Sequence, residues 1–470
     1  MKVKLIIPFL FLSAMVQGQF VKLYDFGYQP DGQAPLSNLI ADGATLFGMT
    51  NSGGANNFGT IFKIDKDGAN YAKLFDFMGN PAGRYPGGAL TPVGDYLYGT
   101  TYQGGANNCG MIFKIKPDGT GYSQVFDFEV NASGCSPFST LYYDGVYLYG
   151  TAYTGGGSMG YGGLFKIKPD GTGFSRFFDF SGTTTGSGPL GALISDGTFL
   201  YGLTQNGGAG NMGVTFKIRP DGTGFSRLLD FTGSANGSHP KGTLFYDGTY
   251  LYGMTYDGGA GQLGVIFKIK PDGTGFSKLI DFTGTPNGGN PRDALISDGV
   301  YLYGLTQYGG TGGTGVLFRI KPDGTGFSKL FDFAGPTTGS HPFGSLLLNG
   351  NALYGMTNSG GTNSGGTIFK YAILTGMNEN KQENIVQVIP NPNNGKFRLN
   401  IAGLSLPAGP TRITDYQLNI YNILGENIFF DPSLNLPNPV EIDISFAPKG
   451  IYFYKISGRE NVITGKIVIR

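Results

Sequence analysis

Residues 241–282 read KGTLFYDGTYLYGMTYDGGAGQLGVIFKIKPDGTGFSKLIDF, a stretch with four short β-strand patterns separated by glycine-rich turns. Asp247-Gly248 and Lys270-Pro271-Asp272-Gly273 are tight-turn sequences, because glycine supplies the positive φ that such turns need and proline fixes its own φ. Phe and Tyr alternate with small residues, as in strands, and a helical period of 3.6 is absent. The stretch predicts strands over residues 241–246, 249–256, 264–269 and 276–282.

The same pattern occurs seven times along the chain. An element that reads Leu-Tyr-Gly in most copies has its glycine at Gly48, Gly99, Gly150, Gly202, Gly253, Gly304 and Gly355. The period is 51 residues, with one spacing of 52 that reflects an extra residue between Gly155 and Phe165. Two further elements keep this spacing, an Asp-Phe pair (Asp25, Asp76, Asp127, Asp179, Asp230, Asp281, Asp332) and a proline (Pro35, Pro86, Pro137, Pro189, Pro240, Pro291, Pro342).

Four antiparallel strands at a period near 50 are typical of a β-propeller blade. Residues 20–26 are a fourth strand with no first three before it, and the seventh copy has its third strand at 366–370 but lacks a fourth. We therefore expect an all-β fold, a seven-bladed β-propeller closed by pairing of the N-terminal strand with residues 367–371. Closure removes exposed sheet edges. The alternative, an open solenoid, would leave both ends uncapped.

Composition narrows the class of protein. The chain has 83 glycines, 37 phenylalanines and 28 tyrosines, which suits many short strands joined by tight turns. Its 33 basic and 32 acidic side chains nearly balance and form no basic run, so we expect no nucleic-acid partner. The two cysteines, Cys109 and Cys135, are too few for a disulfide scaffold, although one bridge could form in an oxidising compartment.

The N-terminus has the pattern of a secretory signal. Lys2 and Lys4 precede an apolar stretch, residues 5–15, that is too short to span a bilayer, and small residues before Gln19 suit cleavage. We expect a signal peptide over residues 1–18, export of the protein, and no transmembrane segment. The alternative for this stretch is an apolar first strand.

The repeat resembles a known bacterial family. Residues 251–260, LYGMTYDGGA, followed by GVIFKI at 264–269 and an Asp-Phe element, are similar to the tandem repeat called GloVer, over about residues 20–373. That resemblance implies little about chemistry. The Gly-Gly doublet is also similar to kelch repeats, but this chain has no tryptophan, so we treat kelch as an architectural analogy.

The period stops after Thr375, and residues 377–387 are predicted to be a linker. The motifs at 390–397, 418–425, 450–454 and 465–470 are similar to the C-terminal sorting domain of type IX secretion substrates. The resemblance implies a small β-sandwich over residues 388–470 that the outer-membrane secretion machinery recognises, and then release or attachment at the cell surface. The alternative is an adhesive sandwich domain. The propeller would occupy residues 19–376.

Residue types repeated in all seven copies are expected to be structural, including the Asp-Phe aspartates and the lysine or arginine series Lys63, Lys114, Lys166, Lys217, Lys268, Arg319 and Lys370. No Ser-His-Asp arrangement, Cys-x-x-Cys spacing or phosphate-binding loop stands out, so we expect no catalytic residues, metal or cofactor. Departures from the consensus are more informative. Around the repeated proline and in one nearby loop, the polar exceptions are His239, Lys241, Asp257, Asn290, Arg292, Asp293 and His341.

These seven residues belong to repeats five to seven, and propeller geometry would place them at one mouth of the channel. We hypothesise that they form a ligand-binding site; the alternative is ordinary variation of solvated loops. Cys109 and Cys135 should lie on the same face and form a disulfide.

Three functions remain open. The first is a binding module for a glycan, peptide or surface protein, with Tyr102, Tyr153, Tyr256 and Tyr308 able to stack on sugars or, alternatively, to pack between blades. The second is a polysaccharide lyase or glycoside hydrolase, which the scarcity of paired carboxylates disfavours. The third is a structural surface or adhesion protein.

Overall fold

The computed structural model describes residues 19–27, 29–157, 160–373, 386–401, 417–422, 426–432, 440–457 and 462–470. These residues form β-strands and turns and contain no helix. The chain divides into two compact units, Met1–Leu374 and Thr375–Arg470. The expected signal peptide and most of the expected linker lie outside the described residues.

The first unit contains 31 short strands among its described residues. In chain order they are β1 (Phe20–Asp25), β2 (Ile40–Asp42), β3 (Thr45–Thr50), β4 (Thr60–Asp65), β5 (Ala72–Asp76), β6 (Arg84–Pro86), β7 (Thr91–Val93), β8 (Tyr96–Gln103), β9 (Met111–Ile115), β10 (Ser123–Asp127), β11 (Cys135–Pro137), β12 (Tyr142–Tyr143), β13 (Leu148–Thr154), β14 (Gly163–Ile167), β15 (Ser175–Asp179), β16 (Ile194–Ser195), β17 (Leu200–Thr204), β18 (Val214–Ile218), β19 (Ser226–Asp230), β20 (Phe245–Tyr246), β21 (Leu251–Met254), β22 (Val265–Ile269), β23 (Ser277–Asp281), β24 (Ile296–Ser297), β25 (Leu302–Thr306), β26 (Val316–Ile320), β27 (Ser328–Asp332), β28 (Ser340–Pro342), β29 (Leu347–Asn349), β30 (Ala352–Ser359) and β31 (Thr367–Ala372).

These strands form seven small antiparallel sheets in the described part of the unit, one for each sequence repeat. The fifth is representative, with strand order β20-β21-β22-β23. Its first strand covers only two residues, whereas the sequence pattern predicted six. The other three strands lie within their predicted ranges and are each one to four residues shorter.

The seventh sheet takes strands from both ends of the unit. β1 pairs antiparallel with β31, with Phe20 opposite Tyr371 and Asp25 opposite Thr367. β31 in turn pairs with β30, which pairs with β28 and β29. The strand that begins the described chain therefore supplies the fourth strand that the last repeat lacks.

One backbone hydrogen bond joins each sheet to the sheet before it. The N–H of the residue that precedes the repeated proline donates to a carbonyl in the second-to-third strand turn of the preceding repeat, for example His239 to Met212 at 2.8 Å and Asn290 to Leu263 at 2.7 Å. The same bond runs from Ala34 in the first repeat to Gly365 in the last, at 2.8 Å. The contact between the last and first repeats thus repeats the contact between consecutive ones.

The hydrophobic core is divided among the interfaces between neighbouring sheets. One cluster combines Tyr252, Ile266 and Phe282 of the fifth sheet with Leu295 and Phe318 of the sixth. Another combines residues of the first and seventh sheets in the same way. The apolar side chains of each strand thus bury themselves against the next sheet, which supplies the main stabilisation of such repeats.

The glycine of the Leu-Tyr-Gly element permits this packing. A Cβ added to Gly253 would lie 2.6 Å from Cζ of Phe267, which is fully buried on the neighbouring strand. A larger residue at this position would displace the phenylalanine, which explains why the element recurs with glycine in every repeat.

The repeated Asp-Phe aspartates stabilise the turn that follows the second strand. In the fifth repeat, Asp281 accepts the N–H of Ala260 at 2.8 Å and pairs with Lys278 at 2.9 Å. Equivalent lysine or arginine pairs involve Asp25, Asp76, Asp179, Asp230 and Asp332. In the second repeat the cation is replaced by Gln124, and Oδ1 of Asp127 is buried without a hydrogen-bond partner in the described structure.

The second unit is also built from strands. They are β32 (Val386–Ile389), β33 (Lys396–Ile401), β34 (Gln417–Asn422), β35 (Asn427–Asp431), β36 (Val440–Asp443), β37 (Gly450–Ser457) and β38 (Val462–Ile469). Two sheets, with orders β32-β33-β36 and β35-β34-β37-β38, share one core. Leu399 and Ile442 enter this core from the smaller sheet, and Leu418, Ile456 and Ile467 enter from the larger.

Candidate functional site

The residue before the repeated proline has an unusual backbone conformation in all seven repeats. Its φ is positive, between 51° and 64°, at Ala34, Tyr85, Ser136, Gly188, His239, Asn290 and His341. Left-handed φ is uncommon for residues other than glycine, and it persists only where the surrounding structure fixes it. Here the hydrogen bond to the preceding repeat and the rigid proline that follows fix it, so three of the seven predicted site residues sit on a rigid backbone.

Three of the predicted residues form one polar cluster. Nδ1 of His239 lies 3.2 Å from Oδ2 of Asp257, and Nδ2 of Asn290 donates to Oδ1 of Asp257 at 3.3 Å. Asn290 also donates to the carbonyl of Tyr256 at 3.0 Å. The cluster spans the fifth and sixth repeats, and the carboxylate of Asp257 is held from both sides.

Lys241 and Arg292 meet on the ring of Tyr256. Nζ of Lys241 lies 3.3 Å from the centroid of that ring, and Cζ of Arg292 lies 5.4 Å from it. The guanidinium also stacks on Phe343, with Cζ 3.8 Å from the ring centroid, and donates to Oε1 of Gln307 at 3.4 Å. Cation–π contact offsets part of the cost of placing two positive charges side by side.

Burial lowers the pKa of both cations, and the charge of Arg292 adds to this effect at Lys241. Desolvation and the neighbouring Arg292 lower the pKa of Lys241 to about 8, although Asp257 acts in the opposite direction. Desolvation also lowers the pKa of Arg292. Among the described residues neither cation forms an ion pair with a carboxylate, and Nε of Arg292 is buried without a hydrogen-bond partner.

Both cations line a cavity to which every repeat contributes. The cavity has a volume of about 80 Å³. Its wall includes the residue after the repeated proline from each repeat, namely Leu36, Gly87, Phe138, Leu190, Lys241, Arg292 and Phe343. Equivalent residues of seven repeats can surround one cavity only if the cavity lies on the axis that relates the repeats, so these side chains form the wall of an axial opening.

Asp293 lies deeper on the same wall. Its Oδ2 accepts the N–H of Ser345 at 3.1 Å, and Asn38 and the backbone of Thr243 also hydrogen-bond to the carboxyl. Burial raises the pKa of this carboxyl, and the hydrogen bonds oppose that rise. At this position the other repeats have glycine or serine, and Gly242 approaches the Asp293 backbone so closely that an added Cβ would lie 2.5 Å from its Cα.

His341 has different partners from the other six residues. Its Nδ1 lies 2.9 Å from Oγ of Ser359, and its ring contacts Tyr308 edge-on with centroids 5.1 Å apart. Desolvation lowers the pKa of His341, so the ring is neutral at neutral pH. The structure therefore brings five of the predicted residues together around Tyr256 and the cavity, places Asp293 beneath them, and places His341 one repeat further along.

The opposite side of the opening is aromatic. A cavity of about 380 Å³ is lined by Leu36, Asn51, Tyr85, Tyr102, Gln103 and Phe138. It shares Leu36 and Phe138 with the axial cavity, and the Tyr102 and Phe138 rings meet edge-on with centroids 6.0 Å apart. Tyr85 and Gln103 were not singled out from the sequence. Asn51, Tyr102, Tyr256 and Gln307 occupy equivalent positions in their repeats, directly after a threonine of the second strand. Variation at this position is the sequence signal that points to the aromatic side.

The two cysteines form a disulfide, Cys109–Cys135, with Cα atoms 4.6 Å apart. It joins the second and third repeats at the place where the N–H of Ser136 donates to the carbonyl of Cys109 at 2.8 Å. The covalent link therefore reinforces one of the seven repeated contacts between sheets.

Within the described residues, no group of three or more histidine, cysteine, aspartate and glutamate side chains could hold a metal ion. The described part of the chain also contains no helix with the length and hydropathy needed to cross a membrane.

Comparisons of sequence place the chain among known families. Residues 8–160 and 246–384 match the family described as the Gloeobacter/Verrucomicrobia repeat, and residues 387–470 match the secretion system C-terminal sorting domain. Among curated protein sequences, none matches this chain.

Three solved structures with a similar fold share little sequence identity with this chain. Oligogalacturonate lyase from Vibrio parahaemolyticus is 12% identical, with a TM-score of 0.50 over 76% of this chain and 94% of that one. The extracellular domain of the one-component system BT4673 from B. thetaiotaomicron is 12% identical, with a TM-score of 0.50 over 96% and 58% of the two chains. PorZ from Porphyromonas gingivalis is 15% identical, with a TM-score of 0.48 over 94% and 59%. The chain thus spans under two thirds of the last two, and the likeness shows a propeller-like fold.

Proposed function

Because this chain belongs to the Gloeobacter/Verrucomicrobia repeat family and ends in a type IX sorting domain, we propose that it is an exported binding module. The sorting domain indicates export to the cell surface or extracellular space and handling by the secretion machinery. In the proposal the seven sheets are the blades of a closed propeller over residues 19–376. The two C-terminal sheets are a β-sandwich over residues 388–470, after a linker at 377–387 and a signal peptide at 1–18.

The proposed activity is reversible binding of a glycan at the axial opening. One observation carries the proposal, the placement of Lys241 and Arg292 on the Tyr256 ring at the wall of a cavity shared by all seven repeats. Aromatic rings and a few fixed polar groups around a concavity are the usual composition of a small-ligand site. In the cluster of His239, Asp257 and Asn290, the Asn290 amide also donates to the backbone carbonyl of Tyr256, which holds this residue in place.

The test is a binding screen of the purified protein against soluble oligosaccharides, read by thermal shift and calorimetry and checked for products. We expect a saturable rise in Tm without product formation. Tyr256→Ala should abolish binding. Tyr250→Ala is the matched control, because Tyr250 is a tyrosine of the same repeat whose ring contacts Lys268, at 4.8 Å from its centroid, outside the opening.

Each other outcome points to a different function. Formation of shorter oligosaccharides would favour the lyase or hydrolase alternative. A complete absence of glycan binding would favour a structural or adhesive surface protein and would contradict the proposal.

A further inference from the structure

Lys241 and Arg292 place two positive charges at the axial opening, and neither forms an ion pair with a carboxylate in the described part of the chain. Asp257 is the nearest carboxylate that influences Lys241, but it is already bound by His239 and Asn290. Asp293 lies deeper, where it accepts the N–H of Ser345, and its charge acts on Arg292 without forming an ion pair. Two partly buried cations without an ion-pair partner in the described structure are an arrangement that an anionic ligand would stabilise.

The donors on Arg292 are only partly used. Nη1 contacts Gln307 at the long distance of 3.4 Å, and Nε has no partner although it is buried beside the cavity. The stacking of the guanidinium on Phe343 fixes its plane. A fixed guanidinium with free N–H groups matches the two oxygens of a carboxylate in a bidentate geometry.

The size of the cavity limits what can enter it. A volume of about 80 Å³ holds about half a dozen water molecules, since each needs roughly 10–15 Å³ of such space. A carboxylate fits this space, whereas a sugar ring must remain at the opening. There the neighbouring cavity of about 380 Å³ offers the Tyr85 and Tyr102 rings together with the amides of Asn51 and Gln103.

We propose that the opening binds an acidic oligosaccharide, with a sugar carboxylate between Lys241 and Arg292 and an adjacent sugar ring against the aromatic side that includes Tyr102. This inference rests on the proposed glycan-binding function and adds the charge of the ligand. Amide groups suit sugar hydroxyls, and aromatic rings suit the apolar faces of sugars, which favours a glycan over a simple anion.

The experiment compares matched ligands on the full-length exported protein. The probes are a panel of uronic-acid-terminated oligosaccharides and the same oligosaccharides after reduction of the carboxyl to a primary alcohol. Calorimetry at low and high salt should show at least a tenfold loss of affinity on carboxyl reduction, and acidic binding should weaken with added salt.

Two variants make the test specific to the opening. Arg292→Gln should weaken binding of the acidic ligands about tenfold or more, a larger factor than for the neutral ligands. Arg292→Lys should recover part of the loss, because lysine restores the positive charge but not the planar guanidinium. Arg319→Gln is the matched control, because Arg319 lies in the third strand of the same repeat and its Cζ stacks 4.5 Å from the ring centroid of Tyr301. It should bind like the unaltered protein, and its Tm would show whether loss of an arginine alone affects folding.

Equal affinity for acidic and reduced oligosaccharides would overturn the inference and leave the glycan-binding proposal standing. Failure of both series to bind would contradict both. Binding of peptides with a free C-terminal carboxyl, but not of their amidated forms, would show that Lys241 and Arg292 bind the C-terminus of a protein. That result would also overturn the inference.

Discussion

The second and third repeats and the fifth and sixth repeats place different side chains on the same backbone. After the repeated proline, the first pair has Gly87 and Phe138, whereas the second pair has Lys241 and Arg292. The surrounding frame scarcely changes, since each repeat retains its bond to the preceding one and its buried Asp-Phe phenylalanine. The comparison teaches that residues shared by all repeats build the sheets and the contacts between them, and that the opening acquires its chemistry at a few positions that those contacts leave free.

Removing a shared phenylalanine should have the largest effect. Phe282→Ala and Phe26→Ala should each lower the free energy of unfolding by about 3–5 kcal/mol, because both rings are fully buried between sheets. Urea unfolding followed by circular dichroism would measure the two. Phe26 follows β1, so a much smaller effect there than at Phe282 would contradict the closing role of that strand. Met78→Ala, at a side chain that is 59% exposed, is the control.

Breaking the disulfide should have the next largest effect, and it concerns only the second and third repeats. Cys109 and Cys135 are 26 residues apart, so opening the bridge should cost about 3.5 kcal/mol by the loop-entropy relation. Reductant should lower the Tm of the unaltered protein but not that of a variant in which both cysteines are alanine. Intact mass that fails to rise by about 2 Da on reduction would show that no bridge exists.

Replacing Lys241 by methionine should raise stability at neutral pH, because it removes a poorly solvated charge beside Arg292. The pKa of Lys241 falls from 10.5 in the unfolded chain to about 8 in the folded protein. Between these values the unfolded state binds more protons, so the stability of the unaltered protein rises with pH across that window. The advantage of Lys241→Met should thus be greatest below pH 8 and shrink toward pH 10.5, as measured by Tm.

The control for that experiment is Lys217→Met. Nζ of Lys217 donates to the carbonyl of Pro271 at 3.0 Å, so this change should lower the Tm or leave it unchanged. A Tm for Lys241→Met below that of the unaltered protein at pH 7 would contradict the expected penalty.

Restoring the missing ion pair of the second repeat should have the smallest effect. Gln124→Lys would place a cation near Asp127, as Lys278 stands near Asp281. The expected gain is about 0.2–1 kcal/mol, because these pairs are partly exposed. Gln124→Met is the uncharged control, and the gain in Tm should fall in 1 M salt. An equal gain from methionine would show that packing rather than charge is responsible.

The all-β class and the repeat family could be predicted from the sequence, because the strand patterns, the tight turns and the Leu-Tyr-Gly and Asp-Phe elements each occur seven times. The length of the first strand in each sheet could not. In the fifth repeat residues 241–243 were expected to pair with the second strand, but they lie outside β20, and Oγ1 of Thr243 accepts the N–H of Ala192 in the preceding repeat at 2.9 Å. A local pattern of alternation cannot reveal that backbone groups contact a neighbouring repeat.

The candidate site could be predicted only as a set of residues that depart from the consensus of the repeats. The comparison of repeats identified Lys241, Arg292 and Asp257, but for Tyr256 it left two alternatives, stacking on a ligand or packing between blades. Its position under both cations depends on the twist of the sheet and on side-chain rotamers. The twist of the sheet and the side-chain rotamers also decide that His341 contacts Ser359 and Tyr308 instead of the cluster. Its separation could therefore not be predicted from the sequence.

The pairing of β1 with β31 has a consequence for how this chain could be re-engineered. Phe20 lies opposite Tyr371, so a short connection could join the two ends of the first unit. New termini could then be opened at an exposed Asp-Gly turn such as Asp247-Gly248, giving a circular permutant that retains every sheet. In the proposed closed propeller, the order of the repeats around the axis is therefore a property of the ring, and the chain can start at any of them.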